Sequence, residues 1–172
     1  YYDNLISGYD ALEAGCKTNT DDNRRSSFVL SGTICCRDFN TNGTMTISGS
    51  GFIIANRDVK LHDQAGDSGT LTISPSAGGA IVFIGGQNID INSGAADTTV
   101  IMNPGVRMYC KSDSITTGRV SIINCTTDIN GALILADRRI IVNSGALIRN
   151  STLFVNDPHN AGSPANNNNL RV

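Results

Sequence analysis

Short runs of alternating apolar and polar residues dominate the chain over residues 44–155. Twelve runs of four or five residues share this pattern and are rich in β-branched side chains: 44–47, 51–55, 58–62, 70–73, 80–84, 88–92, 98–102, 106–110, 119–123, 132–135, 139–142 and 152–155. Turn-forming pairs such as Ser-Gly, Asn-Gly and Gly-Gly separate them. Alternation with a period of two is typical of strands with one buried face, so the pattern predicts twelve short β-strands.

The order of these strands is compatible with two all-β folds, a sandwich and a coiled solenoid. The runs group in threes, and the starts of successive groups are separated by 26, 28, 21 and 20 residues: Thr44, Thr70, Thr98, Arg119 and Arg139. Such offsets suit one coil of a solenoid, whose stacked faces need aliphatic residues alternating with Thr, Ser and Asn. We therefore predict a single-domain parallel β-helix (solenoid) of about five coils.

Residues 1–17 follow a helical pattern instead. Residues that share one helical face, at steps of three and four, are Tyr2, Leu5, Tyr9, Leu12 and Cys16. Gly15 is a plausible stop signal for this helix. Because each end of a solenoid exposes strand edges, we expect the helix to cap one end of the rod.

The chain divides into three predicted segments. Residues 1–43 form the N-terminal helix with a linker or cap, residues 44–156 form the parallel β-helix, and residues 157–172 form a tail rich in Asn and Pro. The linker itself is polar and covers residues 18–27. The tail has no apolar stripe of its own, so we expect a linker, a loose end or a segment ordered only by a partner.

Composition narrows the classes of function. Charged residues make up 16% of the chain and the net charge is −2, so no basic surface for nucleic acid is expected. No apolar run has the length of a membrane span. The sequence contains no phosphate-binding loop and no dinucleotide fingerprint, and we predict that the protein needs no cofactor.

Three segments carry resemblances to known families. Gly-Gly-Ala-Ile-Val at 78–82 and Val-Ser-Ile-Ile-Asn-Cys-Thr at 120–126 resemble right-handed parallel β-helix proteins of the pectin-lyase-like type. Residues 51–61 are similar to the Gly-rich strand-turn-strand of pilin-like proteins with a β-helical head. The first resemblance implies the solenoid fold, and the second implies that residues 1–17 continue a hydrophobic helix. Neither resemblance carries over a catalytic or binding residue.

One compact group of titratable residues stands out. Asp58, Lys60 and His62 alternate onto the same face of one predicted strand. A glycosidase needs two carboxylates across a cleft, and a lyase needs calcium-binding acids beside a base. The sequence shows neither pattern, and the adjacent acids at 21–22 lie in the predicted linker. We interpret the group as a solvated strand face and predict no catalytic residue and no metal ligand.

The disulfide candidates are Cys16, Cys35, Cys36, Cys110 and Cys125. None has the spacing of a metal site, and disulfides formed in an oxidising compartment suit so polar a chain. We predict that Cys16 pairs with one of the two adjacent cysteines, that the other pairs elsewhere, and that Cys110 pairs with Cys125. The odd count leaves one thiol free or bonded to another chain, and buried free thiols are the alternative.

Three N-glycosylation sequons begin at Asn42, Asn124 and Asn150. A chain this rich in Asn, Ser and Thr is expected to contain several sequons by chance, so these residues are candidates only. The expected location, extracellular or at the cell surface, therefore depends on the cysteines.

Two classes of function remain. The first is a non-enzymatic structural subunit of a filament, pilus, sheath or surface layer, whose partners are copies of itself or other surface subunits. The second is an adhesin or carbohydrate-binding module that presents a flat solenoid face to glycans. A polysaccharide lyase or glycosidase is a distant third. We favour the first class, because a rod of low charge with open ends suits joining through its ends.

Overall fold

The computed structural model describes residues 2–63, 66–91, 98–111, 117–122, 126–143, 145–156 and 170–171. Within these ranges the chain forms one helix, α1 (Tyr2–Ala14), and seventeen strands. The strands are β1 (Asp22–Arg24), β2 (Phe28–Cys36), β3 (Phe39–Thr41), β4 (Met45–Ala55), β5 (Asp58–Leu61), β6 (Gly69–Pro75), β7 (Ile81–Gly85), β8 (Asn88–Ile91), β9 (Thr98–Met102), β10 (Val106–Cys110), β11 (Arg119–Ile122), β12 (Thr126–Asn130), β13 (Leu133–Ala136), β14 (Arg139–Val142), β15 (Ala146–Arg149), β16 (Thr152–Val155) and β17 (Leu170–Arg171). The fold is thus all-β with one N-terminal helix.

The strands form two curled sheets, and every pair among the described strands is parallel. The seven-stranded sheet has the order β1-β3-β5-β8-β11-β14-β17, and we call it row 3. The other sheet has the order β15-β12-β9-β6-β4-β7-β10-β13-β16, with β2 also paired to β4. We call its β4-to-β15 part row 1 and its β4-to-β16 part row 2. The long strand β4 belongs to both rows.

Glycines allow β4 to serve both rows. Its first half pairs with β6, and its second half, from Gly51, pairs with β7. Gly51 has φ +151°, and a Cβ atom there would lie 2.1 Å from the backbone oxygen of Gly32 on β2. Gly49 has φ +95° and equally little space, with the oxygen of Leu30 at 2.2 Å. Only residues without a side chain let the two strands turn this corner together.

The core lies between the rows, where aliphatic side chains at equal register positions stack on one another. In row 1 the stacked residues include Ile47, Ile73, Met102 and Ile129, all fully buried. Burial of one such side chain stabilises the fold by about 1.5–3 kcal/mol. The alternation that predicted β4 and β6 follows from this burial, because the other side of these two strands carries Thr and Ser.

Row 2 differs from row 1 in that part of its outer side is buried as well. In β7 all five residues are buried, and side chains such as Ile54, Ile84 and Leu135 face away from the core. Helix α1 covers this outer side through Ile6 and Tyr9. The near-continuous apolar runs of row 2 are typical of strands with both faces covered.

Helix α1 lies across the strands of row 2 and does not cap an end of the sheets. Tyr9 stacks on Tyr109 of β10, with ring centroids 5.8 Å apart, and Tyr2 stacks on Phe154 of β16 at 4.9 Å. The prediction of an end cap is therefore wrong. The predicted helical face is also shifted, because Leu12 is 38% exposed while Ile6 is buried.

All twelve predicted strands are present, within one or two residues of their predicted limits, and the first two are joined in β4. The predicted grouping is wrong after β9. Arg119 pairs with Asn88 and Arg139 in row 3, so it does not begin a coil in the position of Thr98. Row 1 continues instead through β12 and β15, which the alternation did not reveal because β12 has one apolar residue and β15 is a run of three apolar residues with no alternation.

Parallel pairing also extends beyond the predicted limits of the strand region. Strands β1, β2 and β3 lie in the segment predicted as linker and cap, and β17 lies in the predicted tail beside β14. Every residue except proline offers a backbone amide and a carbonyl for hydrogen bonds between strands, whether its side chain is polar or apolar. A polar composition therefore did not exclude strands in these segments.

Candidate functional site

The predicted group on β5 does not form a single solvated face. Asp58 and Lys60 lie on the outer side of β5 and form an ion pair at 3.7 Å, and Asp58 is largely buried. His62 follows β5 with φ 54° and is fully buried, so it lies apart from the other two. The prediction that all three side chains face solvent is wrong for Asp58 and His62.

His62 has a structural environment. Its Nε2 lies 2.8 Å from the carbonyl oxygen of Gly43, and its Nδ1 lies 3.0 Å from the hydroxyl of Thr41. The Nε2–H group donates to that carbonyl, so Nδ1 accepts from the hydroxyl and the ring is neutral. Burial lowers the pKa of His62, which keeps the ring uncharged. Both ring nitrogens are used by the fold, so neither is available as an acid, base or metal ligand.

A ladder of polar side chains follows the outer side of row 3. Asn88 donates to Asp58 at 3.2 Å, and Asp90 lies 3.4 Å from Arg119 on the next strand. Burial raises the pKa of Asp90, and Arg119 partly opposes this effect. Each carboxylate of this ladder therefore has a cation or an amide as its partner, Asp58 being paired to Lys60 as well. That arrangement fits side-chain bridges between neighbouring strands better than a free acid and base.

A second polar cluster lies beneath α1, where the sequence interpretation expected only apolar contacts. The hydroxyl of Tyr109 donates to Asp10 Oδ1 at 2.8 Å and lies 3.1 Å from Asp137 Oδ2. Glu13 is buried and forms ion pairs with Lys17 and with Lys111, the latter at 3.3 Å. The sequence did contain a signal for the burial of Glu13. Glu13 follows the buried Tyr9 by four residues, so both lie on the same face of the helix.

The cysteines confirm one predicted bridge. Cys16 and Cys35 form a disulfide that ties the end of α1 to β2. Cys36 is a free buried thiol on the core side of β2, and burial raises its pKa to about 12. Cys110 is also a free buried thiol, so its predicted bond to Cys125 is wrong, although Cys125 itself lies outside the described residues. Adjacent strand residues face opposite sides, which is why only one of Cys35 and Cys36 reaches the helix.

Two of the three sequons lie in described parts of the chain. Asn150 is exposed and has φ 50°, and its side chain donates to Asn130 at 3.0 Å. Asn42 is half-buried and accepts from the backbone of Ser68 at 3.4 Å. Asn124 lies outside the described residues. Glycosylation of these residues stays a prediction.

The ends of the sheets are open within the described part of the chain. There, β2 has no strand beyond it at one end, and β15 and β16 have none at the other. Apart from Leu12, the large apolar side chains described as exposed lie on these end strands: Val29 on β2 is 74% exposed, and Leu147 on β15 is 51% exposed. Unpaired strand edges with exposed apolar residues are surfaces on which another strand can pair.

Comparison of the chain with protein-family models, curated proteins and solved structures gives no match. Within the described ranges, no helix is long and apolar enough to cross a membrane. The same ranges contain no group of three or more His, Cys, Asp or Glu side chains placed to hold a metal ion. The open sheet ends and the covered row 2 are thus the surfaces from which a function can be argued.

Proposed function

We propose that the chain is a parallel β-solenoid that acts as a non-enzymatic structural subunit, joined end to end with its own copies in an extracellular or cell-surface assembly. The order of strands supports the solenoid. From β4 onward the chain visits row 1, row 2 and row 3 in turn, and each strand pairs in parallel with its counterpart one turn later. The proposal of end-to-end assembly rests on the unpaired strand edges at the two ends of the sheets, β2 at one end and β15 and β16 at the other.

The two ends are complementary in their strand layout. The nine residues of β2 span both row 1 and row 2, and at the opposite end β15 and β16 occupy the same two rows. A second copy stacked head to tail would place its β2 beside β15 and β16 with all strands parallel. Such a contact joins two different surfaces and does not close on itself, so repetition produces a filament.

The core residues stacked at equal register positions form columns that run from one end of the sheets to the other. The last side chain at each end of these columns is incompletely buried, which also supports the contact. Phe28 ends the row 1 column at the β2 end, and Ile148 ends the same column at the β15 end. In row 2 the corresponding pair is Ile34 and Leu153. Stacking would bring the members of each pair together and remove their apolar surface from water, which favours association.

The alternative classes have less support. A carbohydrate-binding face usually needs exposed aromatic rings, and four rings of this chain are paired within the helix-to-sheet contact: Tyr2, Tyr9, Tyr109 and Phe154. A lyase or glycosidase would need carboxylates free to act, whereas those of the row 3 ladder have partners. The disulfide of α1 supports an oxidising and therefore extracellular location.

The test is the size of the full chain as a function of concentration, with electron microscopy of the largest species. We expect rods that lengthen with concentration. The double variant Val29→Lys, Leu147→Lys should stay monomeric, because Val29 shares its side-chain column with Arg149 and a lysine there would meet that cation in the next copy.

A matched control is Leu12→Lys, which places the same charge on an exposed apolar residue of α1 that is not on an end strand. This variant should assemble like the unmodified chain. A full chain that remains monomeric at every concentration, with no rods in the microscope, would reject the proposal. Equal loss of assembly in the control variant would reject the role of the ends.

A further inference from the structure

The outer side of row 2 is only partly covered by α1. Two grooves run along the flank of the helix, over the first residues of the row 2 strands, with volumes of about 470 and 330 Å³. The larger one is apolar, between Leu5 and Tyr9 of α1 and Phe52 and Val82 of the sheet. Both grooves reach Arg107 on β10, so they meet at that residue.

Arg107 is the unusual member of this surface. Along the two grooves Arg107 is part of a side-chain column of five residues that is otherwise largely apolar: Phe52, Val82, Arg107, Leu133 and Thr152. It makes no hydrogen bond or ion pair within the described part of the chain, whereas the nearby Lys111 is paired with Glu13. A half-buried guanidinium in an apolar groove favours an occupant that brings a carboxylate to it.

The dimensions of the surface indicate the shape of that occupant. The column crosses five strands, four spacings of about 4.8 Å, which gives a length of about 19 Å. A helix of about 13 residues has that length, and α1, which has 13 residues, spans the same strands beside the groove. Small residues along the inner edge, among them Gly51, Ala80 and Gly105, leave room for a helix to approach the sheet.

We propose that this groove binds an amphipathic α-helix of a partner protein, which packs beside α1 and places a Glu or Asp near its middle against Arg107. The position follows from the sheet, because β10 is the central strand of the five that form the column. The apolar stripe of the partner helix would cover Phe52 and Val82 on one side of Arg107 and Leu133 on the other. On the same strand, two residues beyond Arg107, α1 already makes a comparable contact, in which Asp10 accepts a hydrogen bond from Tyr109.

The test uses two synthetic helical peptides of 14 residues with one leucine stripe, which carry either Glu or Lys at the centre of that stripe. Binding to the full chain is measured by fluorescence polarisation. We expect saturable binding of the Glu peptide and at least tenfold weaker binding of the Lys peptide. Arg107→Glu should reverse this order, and Arg107→Gln should abolish the preference, with helical and strand content checked for both variants.

The control variant is Arg25→Glu, which makes the same change of charge at an exposed position outside both grooves. It should keep the preference for the Glu peptide. Absence of saturable binding, or a preference unchanged by both Arg107 variants, would overturn the proposal. Laurate that binds more tightly than either peptide and displaces the Glu peptide would also overturn it, because the groove would then be a site for anionic amphiphiles. The inference does not depend on end-to-end assembly, and the variant Val29→Lys, Leu147→Lys should bind the Glu peptide equally well.

Discussion

The hydroxyl of Tyr109 on β10 lies 2.8 Å from the carboxylate of Asp10 on α1, and this contact is the centre of a polar cluster beneath the helix. The same hydroxyl lies 3.1 Å from Asp137 on the sheet. A phenol has one proton to donate, so the two carboxyl groups cannot both receive it. The second contact is a good hydrogen bond only when one carboxyl group is itself protonated.

This relationship predicts that docking of α1 strengthens at acidic pH. Burial raises the pKa of Asp10, with a further rise from Asp137 and Glu13 that Lys111 and the Tyr109 hydroxyl oppose. A raised pKa means that the folded chain binds the proton more tightly than the unfolded chain. The contribution of Asp10 to stability should therefore increase as pH falls from neutrality through the raised pKa of Asp10 toward its ordinary value of 3.8, and decrease as pH rises again.

The measurement is hydrogen exchange of the α1 amides across this pH range. The variant Asp10→Asn should remove most of the pH dependence of α1 protection, because the amide cannot titrate. Asp3→Asn, an exposed residue in the first turn of the same helix, should leave the dependence unchanged. A pH profile that is identical in Asp10→Asn and in the unmodified chain would contradict the interpretation.

The disulfide predicts a measurable loss of stability on reduction. Cys16 and Cys35 are separated by 19 residues, and opening a loop of that size costs about 3 kcal/mol. We expect reductant to lower the urea midpoint of the unmodified chain, and to have no effect on Cys16→Ser, Cys35→Ser. If reductant also lowered the midpoint of this double variant, another bridge would have to be present.

Replacement of glycine by alanine should have opposite effects on stability at Gly51 and at Gly8. Gly51→Ala should destabilise the fold by about 3 kcal/mol or more, because the new Cβ atom would overlap the backbone oxygen of Gly32, 2.1 Å away. Gly8→Ala on α1 meets no atom within 4 Å and should stabilise the protein by about 0.5–1 kcal/mol. Thermal unfolding of the two variants checks both signs, and a neutral Gly51→Ala would show that the corner of β4 can relax.

Alanine substitutions of His62 and Lys60 should change stability by unequal amounts, although the sequence pattern predicts both side chains on the same strand face. His62→Ala should cost about 1–3 kcal/mol, since it leaves the proton of the buried Thr41 hydroxyl without its acceptor and the carbonyl of Gly43 without its side-chain donor. Lys60→Ala should change stability by less than about 0.5 kcal/mol, as most surface substitutions do. Denaturant unfolding of both variants decides, and a neutral His62→Ala would support the original expectation of a solvated histidine.

Local pattern was sufficient for the helix and for twelve strand segments, but it missed β1, β2, β3, β12, β15 and β17. Alternation between apolar and polar residues depends on which side of a strand is buried, and this property is visible within four or five residues. The twelve predicted strands and the helix expected within residues 1–17 follow from such short-range information, whereas the predicted bond of Cys16 to one cysteine of the adjacent pair joins residues 19 positions apart.

The arrangement of these elements was decided by contacts between residues far apart in the chain. Pairing partners in row 3 are separated by irregular intervals, as in Asn88 with Arg119 and Arg119 with Arg139, because the loops between them vary in length and carry no period. A sequence repeat therefore could not show that Arg119 belongs to row 3, nor that β12 and β15 complete row 1.

The position of α1 and the burial of His62 have the same kind of cause. A helix with an apolar face can pack on any apolar surface, and only the assembled strands create one, where Ile54, Ile84 and Leu135 align on the outer side of row 2. His62 turns into the interior because Thr41 and Gly43, about twenty residues earlier in the chain, present a hydroxyl and a carbonyl to its ring. Sequence alone determined most of the strands, the helix and the chemistry of their side chains. The tertiary structure decided which of those side chains meet, because the pairing partners lie about twenty to thirty residues apart in the chain.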